Sequence, residues 1–157
     1  MSNAMNNPMA PRLSAGIGVV ALVLLGLAHS VPVQAEQFQQ LGRFEAHYSV
    51  IPTTLLKPAI AADYDITRAR DRALVNIALI DPQSGPVPAE VSGSVRDLLS
   101  LERPLAFTEV REGEAVYYLA TIEHGDEETM RFFVDVETPD GTSHRLEFQQ
   151  KLYWTDR

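Results

Sequence analysis

Met130-Arg131-Phe132-Phe133-Val134-Asp135-Val136-Glu137 is the stretch on which the fold turns. Met130, Phe132, Val134 and Val136 share one parity, while Arg131, Asp135 and Glu137 occupy the other. Successive side chains of a strand point to opposite faces, so this segment has one dry and one wet side. One-sided strands of this kind belong to antiparallel sheets, which tolerate water on one face. Leu146, Phe148, Leu152 and Trp154 repeat the pattern, alternating with Arg145, Glu147, Gln149, Lys151 and Tyr153. Between the two runs lies Pro139-Asp140-Gly141, and Asp-Gly accepts the positive φ of a type I′ hairpin turn.

Upstream, Phe44-Ala46-Tyr48-Val50 is a shorter alternating strand. Residues 74–80 and 115–122 are apolar on both parities, as central strands are, and 87–95 and 105–110 are weaker strands. Gly93 inside the third of these marks a bulge or a close backbone approach. Residues 81–86 read as a loop, Glu112-Gly113 as a tight hairpin and His124-Gly125-Asp126 as a further turn. Pro58 followed by Ala59, Ala61 and Ala62 predicts one or two helical turns over 58–64, because proline fits the first helical position. Seven short strands with frequent turn signals indicate an all-β protein. The expected architecture is a single immunoglobulin-like antiparallel β-sandwich of about seven strands, with one short helical segment near residues 58–64.

Composition agrees. The chain has 157 residues, 45% hydrophobic and 22% charged, which suits one globular domain and not a disordered segment. The absence of cysteine excludes disulfides, thiolate metal sites and a cysteine nucleophile. Thirteen basic residues against 21 acidic ones argue against nucleic-acid binding, which needs a basic footprint.

Residues 1–4 read as an expression-vector remnant ahead of Met5. Residues 5–35 have the parts of a secretory signal: Arg12, an uncharged apolar run over 13–28, and Val33-Gln34-Ala35 before a cleavage point. A membrane span needs about 20 apolar residues, and this run is shorter. Cleavage after Ala35 leaves residues 36–157 as an exported, periplasmic domain. Loss of Arg12 alone takes the net charge from −8 to −9. That charge favours solubility and repels anionic lipid, so no membrane contact is expected after cleavage.

Four segments carry a family likeness: His47-Tyr48; Leu56-Lys57-Pro58 with Tyr64-Asp65-Ile66-Thr67-Arg68; Leu74-Val75-Asn76-Ile77; and residues 107–118, with a Glu-Gly turn leading into Tyr117-Tyr118. Together they resemble an uncharacterised family of small exported Gram-negative proteins, a domain of unknown function often encoded near methionine-biosynthesis genes. The resemblance implies an exported single domain with an immunoglobulin-like sandwich, and it carries over no catalytic residue.

The chemistry-bearing residues are sparse. His47, His124 and His144 fall in separate strands or turns, not at metal-ligand spacing, with His47 on a wetter strand face and the other two at solvated turns. Ser94 lacks the Gly-x-Ser-x-Gly elbow. Glu112, Glu114, Glu127 and Glu128 flank turns, where solvated charges are the rule, and Asp63 and Asp65 lack the rest of a calcium loop. No catalytic residue, metal site or cofactor is therefore expected.

Two features stand out. Arg68, Arg70 and Arg72 concentrate positive charge in an acidic chain and are candidates for an anion or partner contact. Tyr117, Tyr118 and Trp154 are candidate aromatic contacts. The reading that follows is a non-catalytic binding or accessory module of the envelope, contacting another protein through a sheet edge or the arginine connector. A small-ligand or carbohydrate module using Tyr117, Tyr118 or Trp154 is the first alternative. The second is a hydrolase assembled from scattered residues.

Overall fold

The structure, a computed structural model, describes residues 37–99 and 101–155. The residues read as a vector remnant (1–4) and as an export signal (5–35), with the expected cleavage point, lie outside them. In chain order the strands are β1 (Gln37–Leu41), β2 (Phe44–Pro52), β3 (Arg72–Asp81), β4 (Gly85–Pro86) and β5 (Glu90–Arg96). Then follow β6 (Glu102–Pro104), β7 (Thr108–Glu112), β8 (Ala115–Glu123), β9 (Glu128–Glu137) and β10 (Ser143–Leu152). A single 3-10 turn (Thr53–Leu55) and helix α1 (Pro58–Asp63) fill the link from β2 to β3, with Pro58 at the first turn of the helix as expected.

The strands form two antiparallel sheets, one ordered β1-β2-β3-β8-β7 with β4 attached to β3, the other β10-β9-β5-β6. Their dry faces meet in one core. Phe44, Ala46, Val75, Ile77 and Leu79 come from the first sheet; Val95, Met130, Phe132, Val134, Val136 and Leu146 come from the second. The parity read from residues 130–136 is what fills it. Tyr48 of one sheet stacks on Phe148 of the other at 4.3 Å, and Phe148 stacks on Phe132 at 4.7 Å. A second, smaller cluster of Leu56, Ala61 and Leu74 seats α1 on the outer face of β3.

All seven expected strands are present, with three additions. β1 carries four exposed residues and no alternation that would reveal it. The other two lie just ahead of expected strands, where the chain changes sheets. β4 falls in the 81–86 segment expected as a loop and pairs with β3 on the first sheet, whereas the strand expected over 87–95 is β5 on the second. β6 precedes the strand expected over 105–110, which is β7 back on the first sheet, and Leu105 N–H still reaches Gly93 O at 2.9 Å. Pro86 and Pro104 end these short strands, because proline has no N–H to give a ladder.

The β5–β9 register runs unbroken from Glu90↔Glu137 to Arg96↔Arg131, so Gly93 marks no bulge. It is a close approach: a Cβ there would sit against the Phe133 carbonyl. The 138–142 turn also differs from the type I′ reading. Gly141 alone takes a positive φ, +79°, and its N–H closes on Thr138 O at 2.8 Å. Asp140 instead accepts hydrogen bonds from the Thr138 hydroxyl and Thr142 N–H, which hold its carboxyl below the usual range.

Candidate functional site

A two-sheet sandwich has four edge strands, and each exposes unpaired backbone groups that invite another chain. Here three are blunted. β6 has three residues and ends in Pro104. β7 carries Glu109, Arg111 and Glu112 among its five. β10 presents Arg145, Glu147 and Lys151 to solvent; Arg145 is fixed on Asp135 by two hydrogen bonds at 2.8 and 3.0 Å, and that pair holds the Asp135 carboxyl below its usual range.

The fourth edge differs. β1 reads Gln37-Phe38-Gln39-Gln40-Leu41, with no charge and no proline, and its first four residues are exposed. It pairs with β2 on one side, and no described strand covers the other. Phe38 is 56% exposed, its ring stacked on His47 at 5.4 Å. Gln40 Nε2 donates to Gly42 O and Phe44 O at 3.1 and 2.9 Å, which pins the two-residue turn into β2. Beside this edge a cleft of about 50 Å3 opens between Gln37, the middle of β2, and Phe148 and Gln150 of β10.

The expected arginine and tryptophan contacts converge, although the sequence holds them far apart. β10 stops at Leu152, so Trp154 belongs to a tail and not to the alternating strand. The tail folds back over the β2–β3 link. Trp154 N–H donates to Asp126 Oδ1 at 3.0 Å and Nε1–H to His124 O at 3.2 Å. The Arg70 guanidinium lies 4.3 Å from the centre of the indole ring. Thr155 N–H reaches Arg70 O at 3.3 Å, and its hydroxyl meets that of Thr54 at 2.6 Å. Arg68 Nη2 donates to Thr54 O at 2.7 Å. Arg72 is separate in character, paired with Glu123 at 2.6 Å.

The tyrosine pair does not join this corner. Tyr118 is 4% exposed and part of the core, so its ring offers no surface contact. Its hydroxyl accepts Ala89 N–H at 2.8 Å and donates to Glu109 at 3.2 Å, and burial pushes its pKa above the usual value. Tyr117 is half-buried on the opposite face of β8.

The histidines stay apart, with His47 against Glu45 at 3.3 Å. His124 is not a solvated turn residue as expected; it is buried, with Nδ1 2.8 Å from Gly125 O and its own carbonyl held by Trp154. Ser94 bonds Glu102 at 2.6 Å, which together with Arg96 lowers that carboxyl's pKa. Among the described residues no group of three His, Asp or Glu gathers as metal ligands would. One further surface went unread in the sequence: Leu98, Leu99 and Leu101 stand exposed in the β5–β6 loop, Leu99 at 91%. Asp97 accepts Leu101 N–H at 3.0 Å across that loop. Three leucines in a loop between short strands are the signal that would have found it.

These features define a small antiparallel sandwich with one undefended edge and an arginine–tryptophan corner. Residues 38–155 match a family described as a domain of unknown function, DUF4426, and the chain belongs to that family. It is similar to a solved DUF4426 family protein from Pseudomonas aeruginosa PAO1, with 29% identity and a TM-score of 0.71 over 79% of this chain and 99% of that one. Two solved structures of FetP from uropathogenic Escherichia coli strain F11 share the fold at 10% identity. A copper-bound variant has a TM-score of 0.56, covering 77% of this chain and 97% of that one. The as-isolated protein, expressed in the periplasm, has a TM-score of 0.55 and covers 77% and 95%. No curated protein matches the chain.

Proposed function

We propose that this chain is an exported, non-catalytic accessory module of the cell envelope that docks another protein by taking one of its strands onto β1. The carrying observation is the contrast among the four edges: three are short, proline-ended or charged, and β1 is none of these. Strand addition draws affinity from main-chain hydrogen bonds and specificity from pockets for alternate side chains. A small cleft at the start of β1 is shared by Gln37 with the middle of β2 and with Phe148 and Gln150. A periplasmic location rests on the signal-like residues 5–35. Among the described residues no helix is long and apolar enough to cross a membrane.

The small-ligand and hydrolase alternatives draw less support. Ligand pockets run to about 300–1,000 Å3. The cleft by β1 holds about 50 Å3, and a groove between Arg72, Arg103 and Glu123 about 220 Å3. Neither brings a serine or histidine together with a carboxylate.

Gel filtration of the purified chain mixed with Gram-negative periplasmic extract tests this reading. The unsubstituted chain elutes in a larger species, and Phe38→Lys with Gln39→Lys returns it to the free position without lowering its melting temperature. Equal elution of both would overturn the proposal.

A further inference from the structure

Arg68 and Arg70 are cations without a carboxylate partner among the described residues. Arg43, Arg72, Arg96, Arg111, Arg145 and Lys151 each have one, and Lys57, Arg103 and Arg131 do not; what distinguishes Arg68 and Arg70 is their place beside Thr54, Trp154 and Thr155. Arg68 gives one donor to Thr54 O, which leaves the rest of its fork unused. The Arg70 side chain has no hydrogen-bond acceptor among the described residues and rests on the Trp154 ring. The acids nearest along the connector, Asp65 and Asp71, pair with neither arginine. Asp126 already accepts N–H groups from Glu127 and Trp154.

The Arg68 guanidinium is bound to Thr54, whose hydroxyl joins that of Thr155, and the Arg70 guanidinium lies over the ring of the adjacent Trp154. Both arginines are exposed, and Trp154 is 42% exposed beside them. The tail contacts described above hold the platform in place, so little ordering remains to be done on binding.

We infer that this corner is a second binding site, separate from β1, and that it takes the carboxylate side chains of an acidic polypeptide segment. A guanidinium fork matches a carboxylate with two parallel hydrogen bonds, and the indole covers the segment's apolar atoms. A phosphate-bearing lipid surface is the poorer fit, because an extended anionic plane would face the acidic body of the domain as well as the corner, whereas a short segment meets the arginines alone. β1 joins the start of β2, and the corner lies past its end.

Trp154 is the only tryptophan, so its fluorescence reports on this corner alone. The test is titration of the full chain with a hexaglutamate peptide at low salt, with inorganic phosphate and hexalysine as comparisons. The expected result is a saturable change in Trp154 emission with hexaglutamate only. It should weaken as salt is raised toward a Debye length of about 10 Å. Arg68→Gln with Arg70→Gln should weaken binding roughly tenfold or more, the loss of at least one charge-assisted hydrogen bond.

A flat titration, or equal affinity in the double variant, would overturn the inference. A response to phosphate as strong as to hexaglutamate would overturn the choice of an acidic segment. Phe38→Lys should bind hexaglutamate normally, so failure of the β1 reading leaves this result intact, and the reverse holds as well.

Discussion

The guanidinium of Arg70 lies 4.3 Å over the ring of Trp154, and through that contact the end of the chain is fastened to the link between β2 and β3. The same indole donates to His124 O, so one side chain joins the tail to two separate turns. A cation–π contact at an exposed site contributes about 0.5–1 kcal/mol, and a hydrogen bond about as much again.

Trp154→Ala should therefore lower stability by about 1–2 kcal/mol, read as a shift in the urea midpoint followed by far-ultraviolet circular dichroism. Arg70→Gln should lose less, about 0.5–1 kcal/mol. Equal midpoints for all three proteins would mean that the tail is not held.

Gly93 faces Val134 across β5 and β9 with no room for a methyl group against the Phe133 carbonyl. Because the obstacle is backbone in a central strand, Gly93→Ala should destabilise by about 1–3 kcal/mol. Gly141→Ala meets no neighbour, and its cost is confined to the left-handed backbone, about 1 kcal/mol. Thermal melts of the two variants should rank in that order.

Tyr118 gives stability a pH dependence on the alkaline side. Its folded pKa lies above the usual 10, chiefly because burial disfavours the phenolate. The unfolded chain therefore releases this proton first as pH rises. The contribution is complete below pH 10 and is lost as pH climbs through the folded value. Tyr118→Phe should melt lower at pH 7, since Ala89 N–H loses its acceptor, and should show a shallower decline above pH 10. Melting temperatures measured from pH 7 to 11 decide it; parallel curves for the two proteins would contradict the assignment.

Leucines on this fold divide sharply by position. Leu146 is fully buried between the sheets, and Leu146→Ala should cost about 2–5 kcal/mol. Leu99 is 91% exposed, and Leu99→Ser should change stability by less than about 0.5 kcal/mol. Denaturant unfolding of both variants checks the contrast.

Strands β9 and β10 were legible because burial on one face imposes period two on the residues themselves. The core followed from the same parity. β1 left no such trace, since four of its five residues touch no core, and its one local signal is the Gly42-Arg43 turn between Leu41 and Phe44. Arg70 and Trp154 were each visible as a type of residue but not as neighbours. Their meeting depends on where β10 ends and on how the tail crosses the link, both tertiary outcomes. His124 was misjudged for a related reason: a turn is ordinarily wet, and this one is covered by the tail.

A partner strand added to β1 would lie against Gln39, which is exposed on that edge. The most direct test of that addition places a photo-crosslinking side chain at Gln39 of β1 and, in a second protein, at Gln149 of the charged β10 edge, and irradiates cells that export each. A discrete adduct is expected from position 39, identified by mass spectrometry as an extended segment of another envelope protein, and none from position 149. Adducts of equal yield from both positions, or from 149 alone, would contradict strand addition at β1.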